Sequence, residues 1–250
     1  MIMLSKNKYR EKSITDPLDY IKKYKVKKYN NAKLPRSCII VYPYCRKIIE
    51  NILKKLGVKF VKNSNIFLIE DRLSIFISFP SSPNVVCAIE ELRVCGVKNF
   101  FNIGIAGSIS DILNIGDVVL CKKAIRDEGT SYHYLKPRKF VNASKNLFSF
   151  LEEEFESNKI KFKAGYCWTT DAPYRETYSQ IKKYRKKGVL CVDMETSAVF
   201  SVSEFYNLKS ISVFVISDKL SRNQWEHKFD SRIIDNSLEK VLSLLIKSFR

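Results

Sequence analysis

Three carboxylates and a methionine stand late in the chain at two places where an apolar run ends: Asp193, Met194 and Glu195 within VDMETSAVF (192–200), and Asp218 closing VISD (215–218). Leu190 to Val192 is a short apolar run after Gly188 and reads as a buried strand. Ala198, Val199, Val202, Phe205 and Tyr206 then repeat at helical spacing, which puts the Asp-Met-Glu triplet at a strand-to-helix junction. Ser212 to Ser217 is a second β-rich run, and Asp218 ends it. Carboxylates at strand ends accept hydrogen bonds from sugar hydroxyls, and a thioether offers an adaptable apolar surface to a ribose face. An Asp in a partly dry pocket can hold a proton near neutral pH and donate it. The chemistry this set suits is cleavage of a nucleoside. Taken singly, Asp193 also reads as a helix cap and Met194 as core filler.

The elements that must position these groups alternate along the chain. Cys38 to Val41 is β-rich, and Ile48, Ile49, Ile52, Leu53 and Leu56 mark an amphipathic helix stopped by Gly57. Ile66 to Ile69 and Leu73 to Phe79 predict a hairpin around Glu70-Asp71-Arg72. Ser82 with Pro83 at the first helical position opens a helix that Gly96 ends, ahead of a strand over 98–103. A last helix spans 233–246, with Ile234, Leu238, Val241, Leu242 and Leu245 on one face. This order predicts an α/β three-layer sandwich, a central mixed sheet flanked by helices, with loops at strand ends converging on one pocket. The expected organisation is a basic N-terminal arm (1–36) and a single catalytic domain (37–250), since no Ser/Gly-rich or Pro-rich linker and no repeat interrupts the chain.

Of 250 residues, 44 are Lys or Arg and 26 Asp or Glu, a formal charge of +18, and the first 62 residues hold 17 basic against 4 acidic side chains. The one dense cluster, KKYKVKK (22–28), carries no nucleic-acid motif, so a solvated lysine-rich face is preferred to nucleic-acid binding. No apolar run reaches ~18 residues and the N-terminus lacks a signal-peptide apolar region, which predicts a cytoplasmic protein without a membrane partner. Seven cysteines without a C-x-x-C pair predict reduced thiols, and two histidines make a His-rich metal site unexpected; metal ligands are expected to be none.

The ordered string Asp193-Met194-Glu195-Thr196, a helix, then Ser217-Asp218 resembles the purine nucleoside phosphorylase and uridine phosphorylase superfamily, which also includes the methylthioadenosine nucleosidases. Its members typically read E-M-E-A at the first position, and purine-specific ones continue to S-D. FFNIGIAGSISDILNIGD (100–117), with Gly104 and Gly107, is similar to the family's glycine-bearing strand and turn. GYCWTTDAPYRET (165–177) is similar to the strand of its base pocket. The resemblance implies a nucleoside phosphorylase-like fold and roles for individual residues. Glu195 would hold the ribose hydroxyls with Met194 under the sugar and Asp193 in support, Asp218 would protonate N7 of a purine, Trp168 would stack on the base, and Arg175 would serve a pyrimidine instead. His133, in AIRDEGTSYHYL (124–135), would bind the ribose 5′-hydroxyl or shuttle a proton, or else hydrogen-bond within its own polar loop.

The implied reaction is phosphorolysis of a purine nucleoside to free base and ribose 1-phosphate, with phosphate as co-substrate and no cofactor. The alternatives are a hydrolytic nucleosidase, a uridine phosphorylase, or a non-catalytic nucleoside- or nucleic-acid-binding protein. Arg46 and Arg126 are the candidate phosphate ligands. The family's usual Arg stands as Asn102 and its small hydroxyl residue as Ile105, and its G-D-P-x-R loop is matched only by Tyr42-Pro43-Tyr44-Cys45-Arg46. One Arg binds a phosphate dianion poorly. The resemblance therefore also implies a homo-oligomer, a dimer or hexamer, whose neighbour completes the site, with the basic arm reaching across.

Overall fold

The computed structural model describes residues 8–23, 33–63, 65–220 and 225–249; 1–7 and most of the 22–28 cluster lie outside the described residues. The sheet has eleven strands: β1 (Ser37–Val41), β2 (Phe60–Asn63), β3 (Ile66–Ile69), β4 (Leu73–Ile77), β5 (Asn99–Ser108), β6 (Val118–Asp127), β7 (Phe140–Asn142), β8 (Phe162–Thr170), β9 (Val189–Asp193), β10 (Lys209–Leu220) and β11 (Trp225–His227). The helices are α1 (Pro17–Lys23), α2 (Arg46–Lys55), α3 (Ser82–Val94), α4 (Lys145–Ser157), α5 (Tyr178–Arg185), α6 (Thr196–Phe205) and α7 (Arg232–Ser248).

Five strands close a ring. β5 runs parallel to β10, β10 antiparallel to β6, β6 parallel to β8, β8 parallel to β9, and β9 returns antiparallel to β5. The last seam is short, with Gly107 opposite Val192 and Ser108 opposite Cys191. Outside the ring, β1, β4, β3 and β2 extend the sheet as a wing. The β3–β4 hairpin turns through Glu70 and Asp71 at positive φ (46° and 53°), with Arg72 N–H donating to Ile69 O at 3.0 Å. Two consecutive positive φ values match the strands' right-handed twist.

Period-2 alternation assigns the wing's two faces. Cys38 and Ile40 of β1 join a core with α3 and α6, whereas Ile39 and Val41 join one with α2, α4 and α7. Helices thus cover both faces, giving the three layers expected. All seven cysteines are free thiols. No helix of the described residues is long and apolar enough to cross a membrane, and none of them forms a metal-holding cluster of His, Cys, Asp and Glu.

Part of the basic arm expected to reach across to a neighbour packs on its own core. Ile21 of α1 and Leu34 are buried in the α3–α6 core, and Tyr9 donates its hydroxyl to Tyr132 O at 2.9 Å. One apolar residue facing inward on a short helix suffices to seat it.

Gly116 joins three elements where β6 begins. It sits at φ 93°, donates to Ile216 O at 2.8 Å and accepts Ser237 Oγ at 2.8 Å, and an added Cβ would lie 2.3 Å from Ile233 Cγ2. Gly116→Ala is therefore expected to destabilise the protein by about 1–3 kcal/mol through strain and overpacking, read from the denaturant midpoint. An unchanged midpoint would contradict the packing of α7 against this turn.

Candidate active site

One pair of carboxylates stands at the end of β9 and the third lies near the end of β10. β9 ends at Asp193, and β10 carries a bulge between Ile216 and Asp218 that leaves Asp218 opposite Gly107 of β5. Bulges re-aim a side chain, and here Asp218 Oδ2 lies 2.9 Å from where a Gly107 Cβ would stand, with Val192 Cγ1 at 3.4 Å. Glycine at 107 is thus required for the close approach of the two walls.

Asp193 is a buried carboxyl held by donors. Its Oδ1 accepts Thr169 Oγ1 at 2.7 Å, and its Oδ2 accepts the N–H groups of Glu195 (3.0 Å) and Thr196 (2.7 Å), the opening of α6. Burial pushes its pKa up, and these donors oppose the push. The helix-cap reading of Asp193 is therefore realised, and the cap also aims the residue after next. Glu195 Oε1 accepts Ser81 N–H at 2.8 Å, where Ser81 holds φ 135°, a strained value for a residue with a side chain. Burial first and the Asp193 charge second push Glu195 above the ordinary carboxylate range, against donors from Ser81, Met194 and Tyr42. Met194 is partly exposed, and its carbonyl accepts Ser82 Oγ at 2.7 Å.

A brace lies beneath this junction. Ser197 N–H donates to Thr169 Oγ1 (2.9 Å), Ser197 Oγ to Glu128 Oε1 (2.8 Å), Ser131 N–H to Glu128 Oε2 (2.9 Å), and Arg126 Nε to Ser131 Oγ (2.8 Å). Arg126, a candidate phosphate ligand, gives its remaining nitrogens to the carbonyls of Leu135, Lys136 and Arg138. Its guanidinium is thus committed to the chain's own oxygens, so the phosphate role is corrected to a supporting one. The polar segment 124–135 holds α6 in place. His133 is exposed and its Nδ1 lies 2.6 Å from Lys8 Nζ; burial and the Lys8 charge lower its pKa. The partner of His133 thus comes from the arm and not from its own loop.

Trp168 also departs from its expected role. It is 1% exposed, its Nε1–H donates to Asp127 Oδ2 at 2.9 Å, and its ring faces Tyr184 at 4.8 Å. Both faces of β8 are covered at this point, which leaves no open ring face for a base. Arg175 is exposed in the helical turn 173–175.

The loop expected to hold phosphate is occupied by two tyrosines. Tyr42 donates its hydroxyl to Asn102 Oδ1 at 2.8 Å, and Asn102 Nδ2 donates to Ser212 Oγ at 3.2 Å. Tyr44 Oη accepts Ile105 N–H at 2.9 Å. Gly104 permits this, since its Cβ would meet Tyr42 Cε2 at 3.0 Å and Tyr44 Oη at 3.3 Å. Arg46 donates to Asn65 Oδ1 at 3.0 Å. The backbone and side-chain donors around Gly104 are thus satisfied internally. An 880 Å³ groove lies elsewhere, between α2, α7 and the start of β6, and contains none of these residues.

Comparison with known proteins points to one family and one fold. The sequence profile of the Phosphorylase superfamily matches residues 47–250. The chain is 27% identical over 165 residues to an uncharacterized protein of Acanthamoeba polyphaga mimivirus, covering 65% of this chain and 64% of that one. It is 28% identical over 142 residues to the DeoD-type purine nucleoside phosphorylases of Bacillus cytotoxicus and Bacillus cereus, covering 55% of this chain and 60% of theirs. The matched stretch thus spans less than two thirds of these relatives. A solved uridine phosphorylase of Vibrio fischeri, complexed with 6-hydroxy-1-naphthoic acid, is similar in fold over 88% of this chain and 90% of that one, with a TM-score of 0.69 and 23% identity.

The raised Glu195 carboxyl has a stability signature. The folded state binds this proton more tightly than the unfolded chain, so the contribution is complete below the ordinary carboxylate pKa of about 4.3 and is lost as pH rises through the higher folded value. Between about pH 5 and 8, the melting temperature of Glu195→Gln should fall less than that of the wild type. Parallel profiles in a calorimetric scan would remove the protonated-Glu195 assignment.

Proposed function

Since the chain belongs to the Phosphorylase superfamily, we propose that it cleaves the N-glycosidic bond of a nucleoside, preferring purines and transferring the ribosyl group to phosphate. The observation that supports this most is the approach of Asp218 to Val192, the residue before Asp193, across Gly107. Bond stretching places positive charge on the ribose ring and negative charge on the departing base, and the two walls suit these two charges. Glu195 would accept from the ribose hydroxyls, which favours its carboxylate form and offsets the burial that raises its pKa. Met194, partly exposed beside it, would lie against the sugar. Asp218 would serve the base on the opposite wall, and the exposed Arg175 is within the segment that resembles the base pocket. Arg46 would be the phosphate ligand contributed by this chain, with a second charge from a neighbouring copy in a homo-oligomer. The assignment to purine metabolism in the cytoplasm rests on the same reading.

A second reading, hydrolysis, is favoured by one arrangement. Tyr44 takes the Ile105 N–H, Ser212 takes the Asn102 amide N–H and Tyr42 spends its hydroxyl proton on Asn102 Oδ1, donors that a phosphate would otherwise need. Water requires less room and no cationic cradle. Incubation with inosine, adenosine and uridine, with and without phosphate, separates the two: base release only with phosphate supports phosphorolysis, and release without it supports the nucleosidase.

Glu195→Gln should lower turnover by roughly 100-fold or more through loss of a charge-assisted contact made in the transition state. Near wild-type turnover in the folded variant would contradict the ribose role. Sedimentation at micromolar concentration should show at least a dimer, and a fully active monomer would refute a shared phosphate site.

A further inference from the structure

Where β6, β7 and β8 run side by side, lysines stand among aromatic rings. Lys123 of β6 is paired in register with Asn142 of β7 on one side and Tyr166 of β8 on the other. Phe140 of β7 and Tyr166 bring their rings together across it, with centroids 6.5 Å apart at 52°. Lys123 Nζ lies 4.3 Å from the Phe140 centroid and 5.4 Å from that of Tyr166, and Lys139 Nζ lies 5.0 Å from that of Phe140. Lys139 is exposed, and Tyr166 stays 37% exposed in the body of a strand.

Neither lysine has an acidic partner among the described residues, whereas Arg138, next to Lys139, is taken by Glu204. The charge continues onto α5. Phe140 packs against the cluster that holds Ile181 and Tyr184 of this helix, and Lys182, Lys183, Lys186 and Lys187 around its C-terminal end are exposed. KKYRKK (182–187) is thus a second dense basic run besides that at 22–28. A solvated lysine face needs no rings. Rings that stay partly in water between unpaired cations offer two complements at once, a charge for a phosphate and a π face for a base.

We propose that this surface binds single-stranded nucleic acid, with Lys123 and Lys139 against backbone phosphates and Tyr166, flanked by Phe140, stacked on a base. A single strand supplies both groups together, because its phosphates repeat beside bases whose faces are free, and a duplex hides those faces. An anionic lipid surface matches the charge only. Phe140 is packed into the cluster beneath it, so its ring is held at the sheet and does not reach into an acyl layer. The proposal stands apart from the nucleoside-cleaving reading, since none of these side chains is assigned to that reaction.

The test is fluorescence anisotropy of a labelled single strand of about 16 uridines, titrated with the full chain at several salt concentrations. The wild type should bind with a Kd on the order of 10 μM or tighter at about 100 mM salt, and log K should fall linearly with log salt. Lys123→Ala/Lys139→Ala should reduce the slope of that line by about 1.4, two phosphate contacts at about 0.7 each. Tyr166→Ala should weaken binding about 10-fold with the slope unchanged. Lys240→Ala/Lys247→Ala removes the same charge from the lining of the 880 Å³ groove and should alter neither quantity appreciably. If the Lys123→Ala/Lys139→Ala protein does not fold, Lys139→Glu, at an exposed position, takes its place and should weaken binding by about 10-fold. A loss in the groove variant equal to that in the surface variant shows that net charge alone attracts the strand, and it overturns the proposal. So does the absence of salt-sensitive binding by the wild type, an unchanged slope in the surface variant, or wild-type affinity in Tyr166→Ala. Equal affinity for a duplex of the same length, or for phosphatidylserine vesicles, overturns the assignment to a single strand.

Discussion

A carboxyl with almost no contact with water needs donors in place of its hydration, and Asp193 imposes that requirement on the residues around it. Thr169 must come from β8, the first N–H groups of α6 must point back at the end of β9, and α6 must therefore start at residue 196. Ser197, one residue on, links that helix to Glu128 and through Ser131 to Arg126, so three strands and a helix are tied by charge-assisted bonds. Glu195 inherits its direction from this arrangement. Its own carboxyl is met by the strained Ser81 N–H, which locks α3 to the same junction.

The sequence revealed this junction because two periodicities meet there: the short apolar run of β9 gives way to a helical repeat, and the triplet 193–195 falls between them. Asp218 stood out at the end of a long β-rich run, but β10 continues past it to Leu220, where the short β11 pairs with it. Strands β7 and β11 were not legible, since three residues give too little pattern to establish a period. The supporting groups were hidden more deeply. Ser81 meets Glu195 across 114 positions, and Ser197 meets Glu128 across 69, so nothing local marks them. Trp168 was misread because the end of β8 is buried on both faces: Cys167, Trp168, Thr169 and Thr170 are all inside. Alternation then no longer tells which side chain faces a ligand.

The tyrosines at 42 and 44 show how a substitution can be absorbed twice. An aromatic ring where the family favours glycine would clash with an ordinary residue at 104, and the glycine there accommodates it. The lost cation at 102 leaves an amide, which the tyrosine hydroxyl then satisfies. Each change repairs the other, so the loop is well packed with little positive charge. This loop presents hydroxyl groups, whereas the ends of β9 and β10 present carboxyls.

The ring of strands is joined at its narrowest place by two residue pairs and the Ile109 N–H to Leu190 O bond at 3.1 Å. Cooperative units open first where the fewest bonds cross, so amide protons at 107–109 should be replaced by solvent deuterium before those of the long β5–β10 ladder. The same seam lies between the walls bearing Asp218 and Asp193. A molecule that touches both walls acts as a staple across the barrel's weakest joint, and its binding energy becomes resistance of the whole ring to opening. Recognition and mechanical integrity are therefore coupled in this fold: the part that gives way most easily is also the part that a bound molecule would secure.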